Sequence, residues 1–207
     1  MGSAKHSLWR GPQPPILASQ SAVRKTLLVN AGMPVETMPA DIDERGIQQN
    51  SKLDAPDAIA SLLANEKAKF ISQKNSGRFV IGADQTLALG SHLFSKPKDR
   101  AGAAEHLSWL AGRTHELHSA VSVAQDSEIL FSDVSVARMT MRDLTAQEIR
   151  TYLDAAGDSV TSSVGAYQLE ATGVHLFSRI DGDHFTILGL PLLPLLDFFR
   201  RRGLLAV

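Results

Sequence analysis

The chain has 207 residues and a mass of 22.3 kDa, with 43% hydrophobic against 21% charged residues, enough for one generous domain or a two-lobed one and neither disordered nor fibrous. Its 21 Lys+Arg and 22 Asp+Glu leave a formal charge of -1, so no basic field recommends a nucleic-acid or anionic-membrane partner. The absence of Cys excludes disulfides, thiolate zinc sites, iron–sulfur clusters and cysteine nucleophiles, and fits a reducing, cytoplasmic setting.

Residues 1–15 hold no apolar run of signal-peptide type and read as a flexible tail ahead of a single domain at 16–207. Ile16-Leu17-Ala18-Ser19 reads as a buried strand; Val23, Leu27, Leu28 and Ala31 then recur at helical spacing until Gly32. Asp41-Ile42-Asp43-Glu44 reads as a loop. A helix over about 55–75 carries Ile59, Leu62, Leu63 and Phe70 on one side, and 79–83 reads as a buried strand ending at Asp84. Asp99 is placed to cap a helix closed by Gly112, and β-rich runs follow at about 117–124 and 129–139. Thr145-Ala146-Gln147-Glu148 is a capping-box pattern for a helix ending near Gly157, and 174–180 reads as another strand. The last apolar run is broken by Pro191, Pro194 and Asp197 and is too short to span a bilayer; it reads as a helix ending at Gly203. Alternating strands and helices indicate an α/β fold, and the adjacent central strands add an antiparallel component, so the sheet is mixed.

Chemistry concentrates at a few positions. Ser19, Ser21 and Arg24 stand at a strand-to-helix turn, where free N–H groups, hydroxyls and a guanidinium would receive a phosphate. The alternative is that Ser21 caps the helix and Arg24 is solvated. Asp84 stands where an apolar strand is expected to stop, a common way to hold a catalytic or metal-binding oxygen. The Lys67 stem leans toward the apolar side of its helix, and Lys96-Pro97 is a cation on a stiff turn; singly, each fits ordinary surface chemistry. No H-E-x-x-H, P-loop or G-x-S-x-G pattern occurs, and carboxylates as the promising ligands favour a hard ion such as Mg²⁺ or Mn²⁺.

The ordered set ILASQSAVR, DIDE, LLANEKA, VIGADQTL, SKP, LAGRTHE, VGAYQLE and GLPL resembles the Maf family, septum-formation-protein-like nucleoside triphosphate pyrophosphatases, over about residues 16–203. The resemblance implies hydrolysis of a nucleoside triphosphate between the α and β phosphates, with a divalent metal. It implies an extended mixed sheet flanked by helices, in two lobes around a cleft and similar to inosine triphosphate pyrophosphatases, and a homodimer. It assigns phosphate binding to Ser19 and Arg24, an acidic loop role to Glu44, the two lysine roles to Lys67 and Lys96, and the catalytic aspartate to Asp84. The chemistry agrees. A triphosphate carries about four negative charges, and its hydrolysis needs cations on the non-reacting oxygens plus a base or metal for the water. Asp84 is expected to take the proton from the water, with Glu44 helping to hold the metal.

Three departures bear on the substrate. Members that resemble dTTP and UTP pyrophosphatases carry Ser-Pro-Arg-Arg, Asp-Thr and a Gln after Gly-Ala-Tyr, whereas this chain has Ser21-Ala22-Val23-Arg24, Asp84-Gln85 and Glu170. Gln85 and Glu170 look like the subgroup associated with 7-methyl-GTP. Physically, a buried Glu can accept from the guanine N1–H and exocyclic amine, a pairing that thymine and uracil cannot reproduce. Val23 matches neither subgroup. The other reading of the whole chain is a nucleotide-binding regulator of septum formation or cell division with little turnover.

Overall fold

In the computed structural model, which describes residues 7–207, the first element is β1 (Ile16–Leu17), with both side chains fully buried. Ser21 caps α1 (Ala22–Asn30) by accepting from Arg24 N, and Gly32, at φ +75, turns the chain back. β2 (Glu36–Thr37) then lies parallel to β1, Ile16 opposite Glu36. The expected loop at 41–44 runs into a helix, α2 (Glu44–Ser51), whose cap is the Asp43 side chain accepting from Gly46 N. Nothing in α2 is buried, so it has no apolar stripe to announce it, and only the cap marks it.

α3 (Pro56–Ser72) has proline in its first turn and buries Ala60, Ala64, Lys67 and Ala68. β3 (Val80–Leu89) pairs in parallel with β1, Ile16 opposite Val80. It does not stop at Asp84 as expected: residues 87–89 keep pairing, antiparallel, with β4 (His92–Phe94), which leaves Asp84 in mid-strand. Where α3 meets β3, a Cβ on Gly82 would collide with the Ala64 carbonyl oxygen and lie 2.8 Å from Ala68 N. Small residues at 60, 64 and 68 recur every four positions along α3, so helix and strand approach closely enough for side chains of the next turn to meet.

Asp99 caps α4 (Arg100–Leu110) as expected. β5 (Thr114–Gln125) and β6 (Glu128–Met141) are neighbours joined by Asp126 and Ser127, both at positive φ, as in a two-residue hairpin. The capping box of Thr145 and Glu148 opens α5 (Ala146–Ala156). The strand expected at 174–180 forms only in its second half. Thr172–Leu176 is a 3-10 turn, and β7 (Phe177–Asp181) pairs antiparallel with β6. The short α6 (His184–Ile187) and α7 (Leu192–Arg201) complete the chain. The sheet is mixed and seven-stranded in the order β2-β1-β3-β5-β6-β7, with β4 on β3.

Two compact units divide the chain, with boundaries inside β3, β5 and β6. The first comprises residues up to 85 with 119–135 and 189–207, and one of its core clusters is Ile16, Ala18, Ile71 and Val80. The second comprises 86–118 and 136–188, around Leu107, Leu110, Met139, Ile149 and Leu153. Part of the segment read as a tail is anchored. Leu8 N donates to Gly32 O, Arg10 N donates to Leu204 O, and the Trp9 ring meets Phe79 and Phe199 edge-on. Residues 1–6 lie outside the described residues. Among the described residues, no helix is long and apolar enough to cross a membrane.

Candidate active site

The turn between β1 and α1 holds two serines for different purposes. Ser21 Oγ caps the helix, while Ser19 Oγ accepts from Ser21 N and from Arg24 Nη1, each at 3.2 Å. Arg24 is therefore not a solvated surface residue. Its Nη1 also donates to the Ala83 carbonyl at 2.9 Å on β3, and its Nε donates to the Gly189 carbonyl at 2.7 Å. Burial pulls the guanidinium below its ordinary pKa, against the attraction of Asp84 and Glu44.

The close approach of α3 to β3 at Gly82 brings Lys67 to Asp84. Lys67 Nζ donates to Asp84 Oδ1 at 2.6 Å and contacts Glu44 Oε1 at 2.8 Å. Lys67 and Asp84 are each 8% exposed, so this lysine does not reach for solvent as a surface one would. The Glu44 side chain, at the start of α2, is half exposed. Burial raises the Asp84 carboxyl above its ordinary value, against the pull of Lys67 and Arg24. Two cations and two carboxylates thus stand together with the Ser19 hydroxyl, a set that can receive an anion and hold a base beside it. Gln85, next to Asp84, donates from Nε2 to Ser119 Oγ at 2.8 Å.

Six of the eight sequence candidates, Ser19, Arg24, Glu44, Lys67, Asp84 and Gln85, fall in the first unit. Lys96 and Glu170 belong to the second. Lys96 is exposed between β4 and α4, and Glu170 is exposed in the turn before Thr172–Leu176 rather than buried as the base-pairing reading supposes. Sequence reasoning gave no role to the Ala83 and Gly189 carbonyls or to Ser119. Backbone acceptors leave no mark in residue type, and the one available signal was the glycine inside GLPL.

Asp84 and Glu44 are hard oxygen donors that already share one cation, the Lys67 ammonium. Among the described residues no group of three or more His, Cys, Asp or Glu could hold a metal by itself. Two carboxylates suit Mg²⁺ or Mn²⁺ when substrate phosphates and water complete the shell.

The family model described as Maf-like protein matches residues 14–202. The chain belongs to the Maf family. A Maf relative from Rhodopseudomonas palustris, named nucleoside triphosphate pyrophosphatase, is 63% identical over 201 residues, covering 97% of this chain and 100% of its own. A second, from Brucella abortus and named 7-methyl-GTP pyrophosphatase, is 50% identical over 188 residues, covering 90% of this chain and 94% of its own. Among solved structures, a nucleoside-triphosphatase / dITP/XTP pyrophosphatase from Mycobacterium abscessus is 14% identical with a TM-score of 0.43, covering 93% of this chain and 96% of its own.

Proposed function

We propose that this Maf protein hydrolyses a nucleoside triphosphate to the monophosphate and pyrophosphate. The observation that carries the reading is the buried Lys67 ammonium seated between Asp84 and Glu44, beside Ser19 and Arg24. A site that only bound nucleotide would have no use for carboxylates next to the phosphates, where they repel unless a cation intervenes. Water adds across the α–β anhydride and Asp84, held basic by burial, takes its proton. Ser19 and Arg24 hold non-reacting phosphate oxygens, and Lys67 moves from carboxylate to phosphate as charge develops. Asp84 and Glu44 are the residues that would hold Mg²⁺ or Mn²⁺, which supplies neutralising charge on the phosphates when bound.

The substrate in this proposal is of guanine type, such as 7-methyl-GTP. Gln85, beside Asp84, supports it, as does the name of the Brucella abortus relative. A homodimer and a cytoplasmic setting belong to the same proposal, supported by the family resemblance and the absence of cysteine. The test is product analysis with GTP, 7-methyl-GTP, dTTP and UTP in the presence of Mg²⁺ or Mn²⁺. Stoichiometric pyrophosphate is expected; orthophosphate would indicate a broader phosphatase, and binding without release would return the chain to the regulator reading.

A further inference from the structure

We propose that Gly189 is a positioning residue of the phosphate site, acting through Arg24. The inference rests on the phosphate-binding role given to Arg24 above. Three protein bonds, from three separate segments, fix the guanidinium: Nε to Gly189 O at 2.7 Å, and Nη1 to Ala83 O at 2.9 Å and to Ser19 Oγ at 3.2 Å. A guanidinium is a rigid planar fork, so fixing Nε and Nη1 also fixes the direction of the N–H bonds on Nη2. Arg24 Nη2 is the nitrogen of that fork with no acceptor among the described residues, and its aim toward an incoming phosphate is therefore set by the Gly189 carbonyl.

Glycine is required at 189 for two separate reasons. Its φ of +85 is strained for any residue with a Cβ. A Cβ there would also lie 3.2 Å from Arg24 Nη2, 3.4 Å from Arg24 Nε and 3.6 Å from Gln85 Oε1. These contacts oppose the guanidinium position that the carbonyl bond imposes. The rest of the fork is held by β3 and Ser19, so it cannot follow without losing one of their bonds. The same glycine backs both a phosphate-binding residue and Gln85, the residue beside the catalytic aspartate.

Gly203 supplies the control. It has φ +70 and no atom within 4 Å of an added Cβ, so Gly203→Ala imposes backbone strain without crowding the site. Binding of inorganic tripolyphosphate to the full chain is measured by calorimetry, alongside Tm, for Gly189→Ala, Gly203→Ala, Arg24→Lys and the double variant Gly189→Ala/Arg24→Lys. Gly189→Ala is expected to raise Kd on the order of tenfold, as for one lost hydrogen bond to a charged group, while Gly203→Ala lowers Tm without changing Kd. Arg24→Lys, which has no fork to aim, is expected to weaken binding so that Gly189→Ala adds nothing further. An unchanged Kd in Gly189→Ala, or effects of the two substitutions that multiply, would overturn the inference. Because the readout is binding, a wild-type chain that binds tripolyphosphate but releases no pyrophosphate would refute the activity and leave the role of Gly189 to be decided by Kd. A wild-type chain that does not bind tripolyphosphate would overturn the role of Gly189 and leave the activity to the product analysis above.

Discussion

Lys67 Nζ stands 2.6 Å from Asp84 Oδ1, and both residues are almost wholly withdrawn from solvent. Removing two charges from water is costly, and a pair of apolar residues would be at least as stable there. The pair therefore points to chemistry rather than stability. Burial raises the Asp84 carboxyl while Lys67 and Arg24 lower it, and the net effect is a group more proton-hungry than an exposed carboxylate.

The pH profile follows from that balance. The acid limb of kcat/KM is expected above the ordinary aspartate value of 3.8, because Asp84 must be ionised to take a proton. In Lys67→Met the lowering influence of the ammonium is gone, so any remaining activity should show the limb at higher pH. A limb that stays in place in Lys67→Met would detach it from Asp84.

Gly82 sets the distance across which that pair forms. Gly82→Ala drives a methyl into the Ala64 carbonyl, so α3 must move off β3 and carry Lys67 away from Asp84. The expected loss is about 1–3 kcal/mol in denaturant unfolding, together with a fall in kcat at substrate saturation. Wild-type stability and turnover in this variant would show that the approach is not tight.

In the second unit, the fully buried His115 lies 2.6 Å from Tyr167 Oη through Nε2, and burial pushes its pKa down from 6.5 to about 4. The unfolded chain takes up a proton below pH 6.5 and the folded chain only near 4, so stability falls as pH is lowered through that window. His115→Leu should flatten the fall in Tm between those pH values, and Tyr167→Phe should cost about 1–3 kcal/mol by leaving Nε2 without its partner. An unchanged pH slope in His115→Leu would assign the acid sensitivity elsewhere.

Substrate choice is tested on a panel of nucleotides. The wild-type chain is expected to show higher kcat/KM for GTP and 7-methyl-GTP than for dTTP and UTP, measured as pyrophosphate release. A wild-type preference for dTTP or UTP would contradict the guanine assignment.

Much of this was legible in sequence wherever the physics is local. Ser21, Asp99 and Thr145 cap their helices because a cap needs only its own side chain and an N–H three residues on. The same locality hid the rest. Asp84 read as the end of a strand because β4, which prolongs the pairing, is a separate short segment after Gly90. α2 escaped because it buries nothing. Lys67 and Arg24 were readable as ordinary surface residues until their partners, 17 and 165 positions away, were in place. The motif resemblance joined the site candidates of the first unit before the fold did, but it could not supply Gly189, whose contribution is a carbonyl and a missing Cβ.

The proposed role of Asp84 as the base of a nucleoside triphosphate pyrophosphatase is tested by kcat for pyrophosphate release by Asp84→Asn beside the wild-type chain, with circular dichroism confirming the fold. Asn keeps the size and an acceptor for Lys67 but cannot take a proton. The expected result is a native spectrum with turnover reduced by about 100-fold or more; a native spectrum with most of the turnover retained would contradict it.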